Sequence, residues 1–287
     1  MSTLYVVGTP IGNLEDITLR ALRVLRGVSL IAAEDTRTTR KLLAHHEIRQ
    51  RLLSYNDHNK AARIPRLLQA LRDGDVALVS EGGTPVISDP GLDLVAAAVD
   101  AGFAVVPVPG PSAVTAALAV CGLASRQFTY LGFLPRRAGE RRRLLAALRD
   151  DPRTLVAFES PHRLRASLTA LRDALGDRRV AVCRELTKRF EEVFRGTLSE
   201  ALARFAEPRG EFTLVIEGAA AGSASAHAEP VEVSLDAARR DLLARRRAGE
   251  PAKRAVPEVA ARYGLPHREA YRLWLEGDAP RPIAPEQ

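Results

Sequence analysis

Short apolar runs alternate with amphipathic stretches through the first 121 residues, and this alternation limits the chain to a small set of folds. Strand-like apolar runs lie at 4–7, 29–33, 76–80 and 104–108. Helical spacing of apolar residues is found at 14–27, 37–47, 61–73, 92–102 and 112–121. A strand followed by a helix, repeated along the chain, indicates a mostly parallel α/β sheet covered by helices.

A second α/β unit is predicted after a break near residues 131–139, which are basic and contain Pro and Gly. Strand-like runs lie at 154–159, 179–185 and 212–218, and helical patterns lie at 140–149, 163–175 and 198–206. We therefore expect an N-terminal α/β domain over 1–130 and a second α/β domain over 131–218.

The rest of the chain differs in composition. Residues 219–230 are small and polar without periodicity, which is typical of a flexible linker. Helical patterns within 231–287, interrupted by a Tyr-Gly-Leu-Pro turn at 263–266, predict a small helix-turn-helix-like region. A nucleic-acid module, a helical appendage and an oligomer contact all fit that region.

The net charge of +7 favours an anionic partner, such as nucleic acid, a phosphorylated small molecule or a membrane surface. Cys121 and Cys183 lie far apart in apolar surroundings, so they are expected to be core residues, and no metal-ligand cluster is expected. Neither a signal peptide nor an apolar run long enough for a membrane span is found, which predicts a cytoplasmic protein.

Three loops rich in Gly and Pro follow predicted strands: GTPIGN at 8–13, SEGGTP at 80–85 and PGPS at 109–112. Ligands of open α/β sheets bind beyond the carboxyl ends of the strands, where such loops let the backbone approach a ligand closely. The sequence lacks the P-loop pattern, the GxGxxG dinucleotide pattern and the GxSxG hydrolase pattern. The loops therefore predict a ligand site of another kind, without identifying its ligand.

A series of longer blocks occurs in a characteristic order. The blocks are GTPIGNLEDIT (8–18), AAEDTRTTRKLL (32–43), NDHN (56–59), SEGGTPVISDPG (80–91), PGPSA (109–113), GFLPRR (132–137), FESPHR (158–163), RELTK (184–188) and GEFTLVIEG (210–218). Together they closely resemble the ribosomal small-subunit methyltransferase I group of the tetrapyrrole methylase superfamily. The resemblance runs from about residue 4 to 218 and continues more loosely through the C-terminal helices.

This resemblance implies two α/β domains of the class III methyltransferase type, with S-adenosylmethionine in the cleft between them. The implied reaction is methylation of the ribose 2′-oxygen of a decoding-centre cytidine in 16S rRNA, and a homodimer is typical of the superfamily. Glu81-Gly82 stands where the family usually has Asp-Ala. The carboxylate is thus one methylene longer and is followed by a more flexible residue.

The same resemblance implies the cofactor-binding residues. They are Pro10, Gly82, Gly83, Thr84, Pro85, Ile87, Ser112, Ala113, Phe158 and Leu186, with a further contribution from Gly210–Phe212. A core position is the alternative for Phe158 and Leu186.

Methyl transfer to a ribose hydroxyl needs a group that takes or stabilises the departing proton. Candidates are Glu34, Asp35, Asp57, His58, Glu81 and Lys188, and the sequence does not single out the base. Helix capping is the alternative for Glu34 and Asp35, and a surface turn is the alternative for His58. Arginines suited to RNA phosphates are Arg37, Arg40, Arg136, Arg137 and Arg184, whereas Arg141–Arg143 could form a solvated helix face.

Two other functions stay open at this stage. The same fold could act on a tetrapyrrole such as a precorrin or uroporphyrinogen, although the basic charge fits RNA better. Alternatively, the chain could be a non-catalytic RNA-binding protein that uses residues 231–287. The nearly balanced charge of that segment argues against a strong independent nucleic-acid reader.

Overall fold

The computed structural model describes residues 2–220, 235–263, 265 and 267–275. The chain divides into two compact units, Met1–Ala221 and Gly222–Gln287. The first unit contains two sheets, and the second is helical. The domain boundaries expected at 130 and 218 stay a prediction, since both sheets fall within the first unit.

In the described part of the chain, the first sheet has five parallel strands in the order β3-β2-β4-β1-β5. Its strands are β1 (Thr3–Val7), β2 (Leu30–Ala33), β3 (Leu52–Ser54), β4 (Val76–Val79) and β5 (Ala104–Val108). The helices that follow them are α1 (Leu19–Gly27), α2 (Thr36–His45), α3 (Lys60–Asp73), α4 (Leu92–Asp100) and α5 (Ala113–Val120). The predicted parallel α/β architecture is confirmed. All five strands end at one edge, where each is followed by a loop.

The second sheet is mixed, with the strand order β6-β7-β10-β8-β9. Its strands are β6 (Phe128–Phe133), β7 (Thr154–Glu159), β8 (Arg179–Arg184), β9 (Glu192–Thr197) and β10 (Phe212–Ile216). Its helices are α6 (Ala138–Ala147), α7 (Pro161–Leu175) and α8 (Leu198–Arg204). Only β6 and β7 run parallel, and the other neighbours pair antiparallel.

Each face of the second sheet has its own core. One face is covered by α6, α7 and α8 around Leu155, Leu168 and Leu214. The opposite face packs against α5 of the first sheet, so that Val114 and Ala117 meet Val156 and Val215. This shared core joins the two sheets, and it includes both buried cysteines.

Local chemistry explains where the helices differ from the predicted ranges. The helix predicted over 14–27 begins only at Leu19, because the hydroxyl of Thr18 caps it by accepting from Ala21 N at 3.1 Å. A short 3-10 turn, Leu14–Asp16, precedes it. α7 begins two residues earlier than predicted, with Pro161 in its first turn, where the missing N–H costs no hydrogen bond.

The second unit has three helices within its described residues: α9 (Leu235–Arg247), α10 (Ala252–Tyr263) and α11 (His267–Leu275). They share a small core that contains Leu242, Val259 and Leu273. The helical C-terminal region is thus confirmed, and Leu265 N donates to Ala260 O at 2.9 Å in the turn between α10 and α11. Gly264 and Pro266 of the predicted turn lie outside the described residues, as do 221–230 of the predicted linker, 231–234 and 276–287. Within the described residues, no helix is long and apolar enough to cross a membrane.

Candidate functional site

The loops that follow β1, β4 and β5 meet at the carboxyl edge of the first sheet. Thr9 and Gly83 exchange two backbone hydrogen bonds, of 2.8 and 2.9 Å. Gly8 and Gly110 lie backbone against backbone, since a Cβ on Gly8 would come within 2.9 Å of Gly110 N and Cα. The three glycine-containing loops predicted from sequence therefore form one continuous wall.

The loop after β4 holds several residues in the left-handed region of φ. Gly83 has φ +85°, which glycine adopts without strain. Val86 and Ser88, however, have φ +78° and +65°, and such conformations cost non-glycine residues on the order of 1–3 kcal/mol each. The hydroxyls of Ser88 and Tyr130 hydrogen-bond at 2.6 Å, which anchors this loop to β6 of the second sheet.

A loop of the second sheet closes the other side of the site. It follows β8 and contains Glu185 and Thr187 with φ +51° and +67°. Gly12 in the first loop lies against it, because a Cβ there would overlap Lys188 Cγ and lie 3.1 Å from Leu186 O. Strained backbone thus occurs on both sides of the site, in a part of the protein where strain is often functional.

Several residues predicted to bind the cofactor share one apolar surface. Ala113, Phe158 and Leu186 belong to the core that joins α5 to the second sheet, and Ile11 of the first loop joins them there. Leu186 is nearly buried, whereas Ala113 and Phe158 are partly exposed. Phe158 and Leu186 therefore belong to the core, as the alternative interpretation expected, and this position also puts them at the edge of the site.

The remaining predicted cofactor residues lie in the joined loops. A Cβ on Gly82 would lie 3.0 Å from Pro10 O, so those two loops touch there as well. Thr84 is partly exposed, Pro85 is buried and Ile87 is exposed, all within the loop after β4. Ser112 stands at the N-cap of α5 without a side-chain capping bond.

Two residues that the sequence reasoning missed have buried hydroxyls at this junction. Thr9 is 3 % exposed, and its Oγ1 has no hydrogen-bond partner in the described structure. The same holds for Oγ1 of Thr187, across from Gly12. Buried polar atoms normally have partners, so these two could bond to a bound molecule. Their positions within GTPIGN and RELTK are the only sequence signals of this role.

Glu34 lies at the end of β2 beside the loop after β4. Its Oε2 accepts a hydrogen bond from Glu81 N at 3.1 Å. Partial burial raises the pKa of Glu34 most; the negative charges of Glu81, Asp57 and Asp35 raise it further, and the hydrogen bond from Glu81 N opposes the rise. Glu34 is thus a more basic carboxylate than an exposed one, and it does not cap the following helix.

Asp35, the next residue, has a different environment. It caps α2 by accepting from Arg37 N at 2.7 Å, and it also binds the guanidinium of Arg37 at 2.9 Å. The hydrogen bonds from Arg37 lower the pKa of Asp35 to about 2. The capping alternative therefore describes Asp35, and a firmly ionised carboxylate is a poor proton acceptor.

Asp89 is a titratable residue that was not among the predicted site residues. Burial is the main reason that its pKa rises to about 6; the negative charge of Glu34 contributes, and a hydrogen bond from Ser80 opposes the rise. Asp89 belongs to the same SEGGTPVISDPG block as Gly83, so the block contained a signal for it. The site therefore holds two carboxyl groups with raised pKa values.

Lys188 is held by two carboxylates. Its Nζ lies 2.9 Å from Glu185 Oε1 and 2.6 Å from Glu211 Oε2. Burial lowers the pKa of Lys188, but the hydrogen bonds to Glu211 and Glu185 outweigh it, and the pKa is raised overall. Lys188 is therefore held as an ammonium ion between these carboxylates.

Asp57 and His58 lie in an exposed turn after β3. The side chain of Asn56 accepts from His58 N at 3.1 Å, and Asp57 lies 3.3 Å from Lys60 Nζ. The surface-turn alternative thus describes the position of His58. Asp57 faces the site closely enough to influence Glu34.

The predicted RNA-binding arginines differ in their exposure and in their interaction partners. Arg136 and Arg137 are exposed beside the start of α6, and Arg37 is exposed while bonded to Asp35. Arg40 lines a groove of about 690 Å³ between α2 and the start of β3, which contains none of the loop residues above. Arg184 lies in the second sheet, where its guanidinium forms an ion pair with Glu192 at 3.3 Å and donates to Arg209 O at 2.7 Å.

Among the described residues, no group of three His, Cys, Asp or Glu side chains is arranged to hold a metal ion. The described site has carboxylates at one end, Glu34 and Asp89, and apolar side chains at the other, Ala113 and Phe158.

Comparison with known proteins gives concordant results. A family model described as Tetrapyrrole (Corrin/Porphyrin) Methylases matches residues 3–202. A protein of Halalkalibacterium halodurans named Ribosomal RNA small subunit methyltransferase I is 45% identical over 280 residues, covering 95% of this chain and 94% of that protein. A protein of Thermotoga maritima with the same name is 50% identical over 221 residues, covering 76% of this chain and 99% of its own.

A solved structure shows the same fold. It is that of uroporphyrin-III C-methyltransferase from Thermus thermophilus complexed with S-adenyl homocysteine, with a TM-score of 0.55 and 20% identity. The match covers 76% of this chain and 97% of that one. At this identity the likeness concerns the fold alone.

Proposed function

The chain belongs to the tetrapyrrole (corrin/porphyrin) methylase family, and we propose that it transfers a methyl group from S-adenosylmethionine to the ribose 2′-oxygen of a decoding-centre cytidine in 16S rRNA. The observation that carries this proposal is the whole-length similarity to proteins named Ribosomal RNA small subunit methyltransferase I. The family-model match over residues 3–202 spans every loop at the carboxyl edge of the first sheet. The assignment of the acceptor as the 2′-oxygen of a cytidine rests on the family resemblance carried by the ordered sequence blocks.

The residues present fit S-adenosylmethionine. Ile11, Ala113 and Phe158 offer an apolar surface for an adenine ring, and they lie next to the glycine-containing loops after β1, β4 and β5. The unpartnered hydroxyls of Thr9 and Thr187 supply hydrogen-bonding atoms for the polar parts of the molecule. A site with mostly apolar walls and a few placed polar atoms is typical for a small, polar cofactor.

S-adenosylmethionine supplies the methyl group on a sulfonium, which makes that group electrophilic. The protein's own task is alignment, because holding the two reactants in the reactive geometry removes much of the barrier. The Thr9–Gly83 bridge and the Ser88–Tyr130 bond fix the loops that would do this.

We propose Glu34 as the group that accepts the proton from the ribose hydroxyl. It has a raised pKa, it is anchored by Glu81 N, and it is only partly buried. Asp35 is committed to Arg37 and α2, and Lys188 stays protonated between Glu185 and Glu211. The exposed arginines Arg136 and Arg137 then contact the anionic RNA.

We also propose a cytoplasmic homodimer as the working form. Leu92 and Val99 are exposed apolar side chains on α4, and a second copy of the chain would cover them in such a dimer. The mass in solution, measured by light scattering, tests this point separately from the activity.

The experiment that tests the function uses purified protein, methyl-labelled S-adenosylmethionine and small ribosomal subunits from cells that lack the modification. We expect label in 16S rRNA from the intact protein. Label transferred only to uroporphyrinogen would instead support a tetrapyrrole methyltransferase. RNA binding without cofactor binding would support a non-catalytic RNA-binding protein.

A further inference from the structure

Phe133 is an exposed aromatic side chain held at the rim of the site. It ends the edge strand β6 and is 53 % exposed. Its ring packs edge to face on Phe158 at 5.7 Å between centroids, and Phe158 packs in the same way on Tyr130 at 5.3 Å. Phe133 thus has one edge fixed by a neighbouring ring and much of its surface open to solvent.

The backbone of β6 is shaped to put Phe133 there. The register between β6 and β7 shifts between Tyr130 and Phe133, and Gly132 within the shift has φ +62°. The irregularity brings both aromatic rings onto Phe158, although they are three residues apart. A regular strand would put residues 130 and 133 on opposite faces.

A buried polar network fixes the chain just beyond Phe133. Arg163 donates to Leu134 O and lies 3.5 Å from Glu159 Oε2. Glu159 is 2 % exposed, and its other contacts are the hydroxyl of Ser167 and the N–H of Ser160. The FESPHR block therefore holds the segment that follows β6 in place.

Exposed arginines follow Phe133 in the chain. Arg136 and Arg137 are exposed directly after the fixed segment, and Arg142 and Arg143 are exposed on α6. Arg141 differs, since it donates to Pro135 O at 3.2 Å. A rigid, exposed aromatic ring beside exposed arginines is the arrangement with which proteins hold single-stranded RNA, by stacking a base and contacting the phosphates.

We propose that Phe133 is a stacking platform for an unpaired base of the RNA substrate, with Arg136 and Arg137 contacting the adjoining phosphates. This inference rests on the proposed function, because it assumes an RNA substrate. In this proposal the second sheet contributes Phe133 to substrate recognition, whereas the proposed proton acceptor, Glu34, follows β2 of the first sheet. Specificity for an unpaired nucleotide would follow, since a base within a duplex has no free face to stack.

The test compares Phe133→Ala and Phe133→Leu, which lose the aromatic face, with Phe133→Tyr, which keeps it. Phe128→Ala is the matched control, because Phe128 is 43 % exposed at the opposite end of the same strand. Three quantities are measured for each protein: S-adenosylmethionine affinity by calorimetry, kcat/KM with small subunits, and affinity for a fluorescent unstructured RNA oligonucleotide.

We expect kcat/KM and oligonucleotide affinity to fall by about 10-fold or more in Phe133→Ala and Phe133→Leu, the size expected for the loss of one base stack. Phe133→Tyr and Phe128→Ala should match the unchanged protein, and cofactor affinity should be the same in all. Equal RNA affinity in Phe133→Ala and Phe128→Ala would overturn the inference. A parallel loss of cofactor affinity would also overturn it, because Phe133 would then belong to the cofactor site.

Failure of the proposed function has a different signature. If the unchanged protein transfers no label to small subunits, the function fails, and the oligonucleotide measurement still decides whether Phe133 stacks on RNA.

Discussion

The peptide groups of Thr9 and Gly83 bind each other through two hydrogen bonds, although the residues are 74 positions apart in the chain. They lie in loops that follow β1 and β4, which are neighbours in the first sheet. The bridge is antiparallel, unlike the parallel pairing of those strands, and it fixes the separation of the two loops beyond the strand ends. Gly83 is thus the residue at which the shape of the proposed cofactor site is most directly set.

Gly83→Arg should abolish S-adenosylmethionine binding without unfolding the protein. A Cβ at this position has room, with Ile11 Cγ2 at 3.5 Å, but a long side chain would extend into the junction of the loops. Calorimetric titration with the cofactor measures the effect. Gly102→Arg is the matched control, because Gly102 has φ +78° and nothing within 4 Å of its Cβ.

Both substitutions carry the cost of a left-handed backbone, on the order of 1–2 kcal/mol, so their melting temperatures should fall by similar amounts. Full cofactor affinity in Gly83→Arg would place the cofactor elsewhere.

Tyr130→Phe should loosen the loop after β4. It removes the 2.6 Å bond to Ser88, and a single hydrogen bond of this kind contributes about 1 kcal/mol to stability. Since Ser88 and Val86 are held at positive φ, we expect them to relax and the cofactor affinity to fall. Denaturant unfolding and calorimetry measure the two effects. Tyr271→Phe, on the exposed face of α11, is the control that should change neither; unchanged affinity in Tyr130→Phe would show that the anchor is dispensable.

Asp89→Asn should stabilise the protein at neutral pH and lose that effect in acid. The pKa of Asp89 is about 6 in the folded protein against 3.8 for an ordinary Asp. Below 3.8 the group is protonated in both states, and as the pH rises through 6 the folded state must ionise a partly buried carboxyl group. Asn avoids that ionisation.

We expect a gain of about 1–2 kcal/mol in unfolding free energy near pH 7.5, discounted for partial exposure, shrinking towards zero near pH 4. Unfolding in denaturant at both pH values provides the comparison, with the exposed Asp100→Asn as control. A gain that does not depend on pH would show that the ionisation of Asp89 is not its source.

Glu34→Gln should lower kcat by about 10²- to 10⁴-fold, the usual contribution of a general base, while leaving cofactor affinity intact. Gln retains an oxygen that can accept from Glu81 N, so the loop should keep its position. The rate of the unchanged protein should fall as the pH is lowered through the raised pKa of Glu34, because the ionised form is the acceptor. Glu81→Gln is the comparison variant, and a larger loss there than in Glu34→Gln would move the role to Glu81.

Four of the five described strands of the first sheet, and the loops at its carboxyl edge, follow from local sequence, because apolar strands, helix caps and Gly/Pro turns are short-range signals. Three strands were missed for physical reasons. β3 has only three residues, β6 contains Gly132 and a register shift, and β9 is an edge strand whose sequence, EVFRGT, has neither an apolar run nor a regular alternation. Gly132 and the Pro and Gly residues that follow it also explain why the sequence pattern near the end of β6 indicates a break between domains.

The site itself depends on contacts that local patterns do not contain. The approach of Gly12 to Leu186 and Lys188 joins residues more than 170 positions apart. The sequence does not distinguish Glu34 from Asp35 either. The difference depends on which carboxylate accepts from Arg37 and which accepts from Glu81 N. The family resemblance supplied the cofactor and substrate, and the fold then showed which of the candidate residues lie together.

The most direct measurement is the position of the methyl group after reaction of small ribosomal subunits with labelled S-adenosylmethionine. The 16S rRNA is digested to nucleosides and analysed by mass spectrometry. We predict label on 2′-O-methylcytidine, and none with Gly83→Arg. Label on a base, or no label in the rRNA of subunits that lack the modification, would contradict the proposed function.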